Sequence, residues 1–405
     1  VTSIKSMLYG PSLLSVPMKT QPEILFLTLL FLGLASADLL QNPDFESPPA
    51  NLPEKFTSPF VLSSQNNTIP GWTFEGTVLY VKASQNVSLP GSGHAIQLGQ
   101  DGKINQTFIA NGDIMDYVLT FTLASVGQNC SANTDIALAV SAPDSSRVFS
   151  LKQLHGKETW ESYGHYLGSW GDGENVNLVF QSQTSESYPN STCWPVIDTI
   201  LLKSVGTLPE SKDNQLPNGG FETGPDFLSN SSEGVLLDEN PSLVHSPLRG
   251  WSVLGTVKYI DSKHFFVPQG NAAVEIVSGV SAGIKTAATL KEGSTYNLEF
   301  TLGDANDTCV GDFIVEAQTG STAQNFSLAS SGIGSAKNIS VTFKAGPSPT
   351  VIGFLSYTTT QTKDGEFCGP VVDHVVLGAS YGQKLEMQLK VLISLYILVA
   401  ILQIP

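Results

Sequence analysis

Four carboxylates occupy the only acidic positions that this 405-residue chain repeats convincingly. Glu46 and Glu222 each close an Asn-x-x-Phe-Glu stretch, and Asp198 and Asp373 each end a Cys-x-Pro-Val-x-Asp run. A pair of carboxylates about 5–10 Å apart across a sugar would make a glycosidase. Capping of turns and bonding to backbone amides account for the same acids equally well. A second kind of chemistry is offered by aromatic rings, on which sugars stack while amides and carboxylates bond their hydroxyls. Trp160, Tyr163, Tyr166 and Trp170 lie in a Gly- and Ser-rich region with His155 and His165 nearby. They read as a loop-borne ligand platform, with simple packing as the alternative. Phe265 and Phe266, in Lys263-His264-Phe265-Phe266, are the comparable candidates further on. No H-E-x-x-H, G-x-S-x-G or Walker loop is present, the six His are scattered, and charged residues make up only 14% of the chain. No catalytic residue is assigned.

The elements that position these groups come in two copies. Asn42-Pro-Asp-Phe-Glu46 returns as Asn218-Gly-Gly-Phe-Glu222, and Gly71-Trp72 with Gly76-Thr-Val78 returns as Gly250-Trp251 with Gly255-Thr-Val257. Tyr117–Leu123 returns as Tyr296–Leu302. The copies lie 179 residues apart at Gly71 and Gly250, and 175 apart at Cys193 and Cys368. Solenoid repeats run roughly 20–50 residues, so a period this long means two whole domains in tandem. We expect them at 38–206 and 216–378, joined by a polar linker, 207–215, that contains Pro209. Trp72 and Trp251, shared by both copies, are expected in the cores.

Within each copy short β-rich runs dominate. Val78 to Val81, Tyr117 to Ala124, Ile136 to Val140 and Val196 to Leu202 recur as Val257 to Ile260, Tyr296 to Leu302, Phe313 to Ala317 and Val371 to Leu377. Apolar and polar residues alternate along Tyr296–Leu302, the pattern of a sheet with one face on a core. Many short strands between Gly, Asn, Ser and Pro indicate an all-β fold of two tandem β-sandwich domains.

The ends carry processing signals. Met18-Lys19, the apolar stretch Ile24 to Leu34 and Ala35-Ser36-Ala37 have the layout of a secretory signal over 18–37. A buried N-terminal helix is the alternative, and 1–17 reads as upstream or gene-model sequence. Gly378, Ala379 and Ser380 precede a polar spacer and an apolar tail. Residues 379–405 therefore read as a glycolipid-anchor signal, or else as a plain hydrophobic tail. The mature protein is expected outside the cell. Nine Asn-x-Ser/Thr sequons agree, at Asn66, Asn86, Asn105, Asn129, Asn190, Asn230, Asn306, Asn325 and Asn338. Four cysteines allow three pairings, of which duplication favours Cys130–Cys193 and Cys309–Cys368. Zinc is the rival use, but no C-x-x-C spacing is present.

A formal net charge of −16 leaves no basic stripe for nucleic acid. It also opposes acidic polysaccharides such as pectin, and favours neutral glycans, cations or a basic protein partner.

The paired Asn-x-x-Phe-Glu openings, the Gly-Trp…Gly-Thr-Val strands, Val267-Pro-Gln-Gly270, the two-Cys pattern and the Cys-x-Pro-Val-x-Asp closings resemble one group of plant cell-wall proteins. That group is the domain-of-unknown-function 642 family, and the resemblance runs from Asp38 to Leu377. It implies two galactose-binding-like jelly-roll domains, secretion to the wall, and association with wall polysaccharides and pectin methylesterases. A glycolipid tail belongs to some members only, and no catalytic residues can be carried over. More distantly, the openings and closings look like jelly-roll carbohydrate-binding modules, where an early Glu and a late Asp help hold a structural calcium. That likeness implies Glu46 with Asp198 and Glu222 with Asp373 as calcium ligands, backbone carbonyls completing a shell of six to eight oxygens. Turn capping stays open beside it. The expected function is binding of wall polysaccharide with modulation of a wall enzyme; a polysaccharide-active hydrolase and a surface-tethered recognition protein are the alternatives.

Overall fold

Alternation decides the strands. Val176, Leu178 and Phe180 point inward from Asn175–Ser182, and Ile339, Val341 and Phe343 from Ala336–Lys344, while the residues between them face out. In a computed structural model, residues 39–52, 58–85, 87–91, 93–126, 136–151, 160–183, 193–209, 211–229, 232–277 and 281–380 are described. All fall in one unit, Leu39–Pro405. The expected signal 18–37, the segment 381–405, Cys130, Asn86, Asn129, Asn190 and Asn230 lie outside the described residues, as do 1–17 and His155. Among those described there is no α-helix, and no helix long and apolar enough to cross a membrane.

The first repeat supplies β1 (Phe60–Leu62), β2 (Thr73–Glu75), β3 (Val78–Lys82), β4 (His94–Leu98), β5 (Lys103–Ile109) and β6 (Met115–Val126). It continues with β7 (Ile136–Ala142), β8 (Ser145–Leu151), β9 (Trp160–Trp170), β10 (Asn175–Ser182) and β11 (Trp194–Val205). The second repeat supplies β12 (Val235–Leu237), β13 (Ser252–Leu254), β14 (Val257–Asp261), β15 (Ala272–Ile276), β16 (Ala282–Ala288) and β17 (Thr295–Gly303). After these come β18 (Cys309–Thr319), β19 (Thr322–Ser331), β20 (Ala336–Lys344) and β21 (Thr350–Ser356). Short β22 (Thr360–Thr362) and β23 (Phe367–Cys368) precede β24 (Val371–Ala379). Each repeat is a two-sheet jelly-roll sandwich, as the sequence led us to expect. The back sheets are β2-β5-β10-β7-β8 and β13-β16-β21-β18-β22-β23, with β19 beside β18. Each core lies between its own two sheets. Phe45, Trp72, Phe121 and Phe180 centre the first, and Phe221, Trp251, Phe300 and Phe354 the second. Burying each such ring is worth roughly 1.5–3 kcal/mol. The indoles keep a polar tie, Trp72 Nε1 donating to Asn42 O at 3.1 Å and Trp251 Nε1 to Pro217 O at 3.0 Å.

The front sheets are a single sheet of 12 strands, β1-β3-β4-β11-β6-β9-β12-β14-β15-β24-β17-β20. Its halves correspond strand for strand, and the seam is a parallel pairing of β9 with β12, Leu236 opposite Tyr163 and Leu237 opposite Gly164. Gly164 has to be glycine, because a Cβ there would sit 2.7 Å from Pro225 Cγ of the second repeat. Polar groups lock the seam. Lys203 pairs with Asp226 at 2.8 Å, Thr120 Oγ1 donates to Asp226 O at 2.9 Å, and Arg249 pairs with Asp116 at 2.5 Å. This covering explains why β6 is buried nearly end to end, a pattern that a sheet open on one side would not show.

The same seam corrects one expectation. Trp160, Tyr163, Tyr166 and Trp170 lie on strand β9, not on a loop. Polar, Gly-containing β9 is tolerated in the interior because one of its two neighbouring strands, β12, comes from the other repeat.

Cys309 and Cys368 are joined, 59 residues apart in sequence, and both are buried. Cys193 is also disulfide-bonded. Replacing Cys309 and Cys368 together by alanine should cost about 2–5 kcal/mol of stability. Thermal unfolding of the double variant measures it; an unchanged midpoint would show that the bond constrains nothing.

Candidate functional site

The four repeated carboxylates do the same job twice. Glu46 Oε1 accepts the amides of Gly93 and His94, both at 2.8 Å, and its Oε2 lies 2.8 Å from His94 Nδ1. Asp198 Oδ2 accepts Gly91 N at 2.6 Å and Oδ1 accepts Thr199 N at 2.7 Å. In the second repeat Glu222 Oε1 accepts Asn271 N at 2.8 Å. Asp373 accepts Gln269 N at 2.8 Å and His374 N at 2.6 Å. Each pair therefore grips the loop that joins two front-sheet strands, 83–93 or 262–271. Gly270 (φ 79°) shows the closeness: a Cβ there would lie 2.0 Å from Glu222 Oε1. The duplicated openings and closings are strained alike, with positive φ at Asn42 and Asn218 and at Phe45 and Phe221 in the openings, and at Thr199 and His374 just after the closings.

The hydrogen bonds to Glu46, Asp198, Glu222 and Asp373 come mostly from N–H donors, the contacts that turn capping predicts. Among the described residues no cluster of three or more His, Cys, Asp or Glu is placed to hold a metal. The turn-capping reading describes what these carboxylates touch.

The aromatic candidates separate. Trp160, Tyr166 and Trp170 are buried, Trp170 bonding Asp144 through Nε1 at 3.1 Å and Tyr166 bonding Asp116 at 3.0 Å. They build the interior and offer no open ring face. Tyr163 is half-buried and borders the junction of the repeats. Phe266 packs against Gly334. Phe265 alone of its pair reaches a hollow, held there by Phe265 N donating to Asp261 O at 3.1 Å.

That hollow, about 210 Å³, lies on the outer side of β14 in the second repeat. Phe265 and Phe367 supply ring surface; Lys258, Glu233, Asp307 and Glu366 supply charge. Thr308 Oγ1 is buried without a hydrogen-bond partner among the described residues. Asp307 and Thr308 directly precede Cys309, and Phe367 directly precedes Cys368, so the disulfide pins two walls. The first repeat lacks this chemistry: Leu79 opposite Gln97 takes the place of Lys258 opposite Glu275. Burial works against the Lys258 ammonium, but Glu275, Glu161, Glu233 and Asp307 outweigh it and hold its pKa above the ordinary lysine value. Burial pushes Glu275 up to about 7, against the pull of Lys258. Motif searching missed Lys258, Thr308 and Phe367. The usable signal was the departure of one copy from the other.

Of the described sequons, Asn66, Asn306, Asn325 and Asn338 are exposed and Asn105 is half-buried. Asn306 also borders the hollow. Gly378 and Ala379 are paired with Asn297 and Tyr296 in the β17–β24 ladder, and Ser380 N donates to Thr295 O at 3.1 Å.

Burial raises Asp198 and Asp373 from 3.8 to about 7, with a smaller contribution from the charge of Glu46 or Glu222. A folded pKa above the unfolded one means that the native state holds more protons between those values, so stability falls as pH rises through that window. The thermal midpoint should therefore climb as pH is lowered from about 8 to about 5. Replacing Asp198 and Asp373 by asparagine should flatten the climb. A wild-type midpoint that fell over the same range would refute this.

A sequence profile for the family described as "Protein of unknown function (DUF642)" matches residues 38–203 and 214–378. Among curated proteins, DUF642 L-GALACTONO-1,4-LACTONE-RESPONSIVE GENE 2 of Arabidopsis thaliana is 33% identical over 368 residues, covering 86% of this chain and 96% of that protein. TEEBE, also from Arabidopsis thaliana, is 32% identical over 320 residues, covering 77% and 84%. Among solved structures, the tandem CBM22-1–CBM22-2 domain of Paenibacillus barcinonensis Xyn10C is 14% identical, covering 77% of this chain and 94% of that one, with a TM-score of 0.26. TmCBM61, solved with β-1,4-galactotriose, is 17% identical, covering 41% and 99%, with a TM-score of 0.28. Structural likenesses of that size support no inference about ligands. The profile accounts for both sandwiches and the relatives span nearly their whole length, so this chain belongs to the DUF642 family.

Proposed function

We propose that this is a secreted, non-enzymatic plant cell-wall protein that binds neutral wall polysaccharide and modulates a basic wall enzyme such as a pectin methylesterase. The hollow in the second repeat carries the first part. Two phenylalanine rings beside a lysine and carboxylates are what a sugar requires: an apolar surface for the ring and polar groups for its hydroxyls. The surplus of carboxylates over Lys258 disfavours uronates and leaves neutral sugars. At about 210 Å³ it admits a chain end or a side branch rather than a long segment. On neutral-glycan arrays Phe265→Ala should lose roughly tenfold in affinity. The comparison is run with Asn306→Gln as well, since a glycan at that sequon would crowd the hollow. Wild-type binding by Phe265→Ala would exclude the hollow as the site.

The second part rests on the net charge of −16, which speeds and orients encounter with a basic partner. Complex formation with a pectin methylesterase should weaken steeply between about 50 and about 500 mM salt. Salt-independent affinity would count against it.

One observation favours a different class. Glu233, Asp307 and Glu366 share the hollow, and a hydrolase would also gather carboxylates around a sugar. Burial raises the Asp307 carboxyl above its ordinary value, as a general acid requires. Incubation with purified wall fractions separates the readings: no new reducing ends are expected, and their appearance would establish the hydrolase.

A further inference from the structure

We infer that the cleft between the two repeats is a second glycan subsite, one that takes a neutral pyranose unit and exists only because the two sandwiches share a sheet. The inference rests on the polysaccharide-binding reading and adds a place that neither repeat contains alone. Where β9 pairs with β12, the edge strand β8 of the first back sheet and the turn between β13 and β14 close around a space of about 270 Å³. That approaches the roughly 300 Å³ at which ligand pockets begin.

The lining has the two halves that sugar recognition needs. Tyr163 stacks one face of its ring on Phe121, centroids 5.7 Å apart, and is tethered through its hydroxyl to Ser150 O at 3.3 Å. The ring is thus fixed where it borders the cleft. Beside it Val148, on β8, is 52% exposed in a strand whose next residue, Phe149, is core. An apolar side chain left open next to a fixed aromatic ring is a surface for the C–H face of a pyranose.

The polar half is preset. Asp238 is almost wholly buried, with Oδ1 2.8 Å from Arg147 Nε and Oδ2 2.9 Å from His165 Nδ1. It is held across the junction by two side chains of the first repeat before any ligand arrives, so little ordering is lost on binding. A guanidinium beside a carboxylate presents donors and acceptors in one plane, which suits neighbouring sugar hydroxyls. Thr256 and Glu239 add a hydroxyl and a carboxylate at the edge. Charge decides the class of sugar. The Arg147 cation is already answered by Asp238, and Glu239 adds a negative charge, so an acidic sugar is repelled and a neutral one is not.

The test counts sites on the full chain by calorimetry, with cellotetraose and β-1,4-galactotetraose as neutral probes and galacturonate oligomers as the charged control. Wild type should bind a neutral probe at two places, and Phe265→Ala should keep the cleft. Arg147→Met, which preserves the aliphatic stem, should keep only the hollow, its cleft affinity falling roughly tenfold or more. Should Arg147→Met loosen the seam, amide exchange on wild type gives a separate readout: the probe should protect β8 and β12. Loss of all binding in Phe265→Ala, with β8 and β12 unprotected in wild type, overturns the cleft and spares the proposed function. Binding in Phe265→Ala that disappears in Arg147→Met supports the cleft even if the hollow fails. Preference for the galacturonate oligomers, or no binding of either neutral probe, overturns it.

Discussion

The pairing of β9 with β12 is the constraint from which the rest of the architecture follows. Once Gly164 lets Pro225 approach, the two front sheets must continue into one another, and the outer face of β6 and β9 is sealed under the second repeat. That seal makes Asp116, His165, Arg249 and Asp238 interior or nearly so, and each meets an opposite charge or a hydrogen-bonding group there. Breaking such a buried pair by removing one partner is costly, whereas the pairs add little while intact. The seam therefore fixes geometry more than it adds stability. Rigid placement of two sandwiches is what creates a cleft between them.

Duplication separates maintenance from specialisation. The gripping of a loop by two carboxylates, the left-handed backbone at the Asn and Phe of each opening, and the core tryptophans occur in both copies with nearly the same distances. They hold the end of each sandwich together. The hollow behaves differently. It has a buried lysine and glutamate where the first copy has a leucine and a glutamine on the same two strands, so one copy is charged where the other is neutral. A buried ammonium persists only among carboxylates, and several surround it. The disulfide then holds both walls of that hollow, joining a covalent constraint to the place where the copies diverge.

Much of this was legible in the residues. Alternation and turn residues gave the strands, and the eight expected runs fall within observed strands, Tyr296 to Leu302 within Thr295–Gly303 among them. The runs that escaped notice are informative. β9 contains Glu161, His165 and two glycines, which read as a loop because a lone domain could not bury them. β12 is three residues long, too short to signal anything by itself. Of the aromatic candidates, Tyr163 and Phe265 face hollows and the others do not, and nothing in their spacing distinguishes them.

The sequence by itself determined the duplication, the sandwich class and the acidity of the chain, and favoured the pairing of Cys309 with Cys368 that the structure shows. These depend on period, alternation and composition, which are local or summed properties of the chain. Only the tertiary structure decided which rings stay open, that four repeated acids hold backbone amides, and that two sandwiches meet as one sheet. Those outcomes depend on which groups distant in sequence come within hydrogen-bonding distance, as Asp238 does with Arg147 and His165. No spacing along the chain encodes a contact whose two sides are set by separate cores.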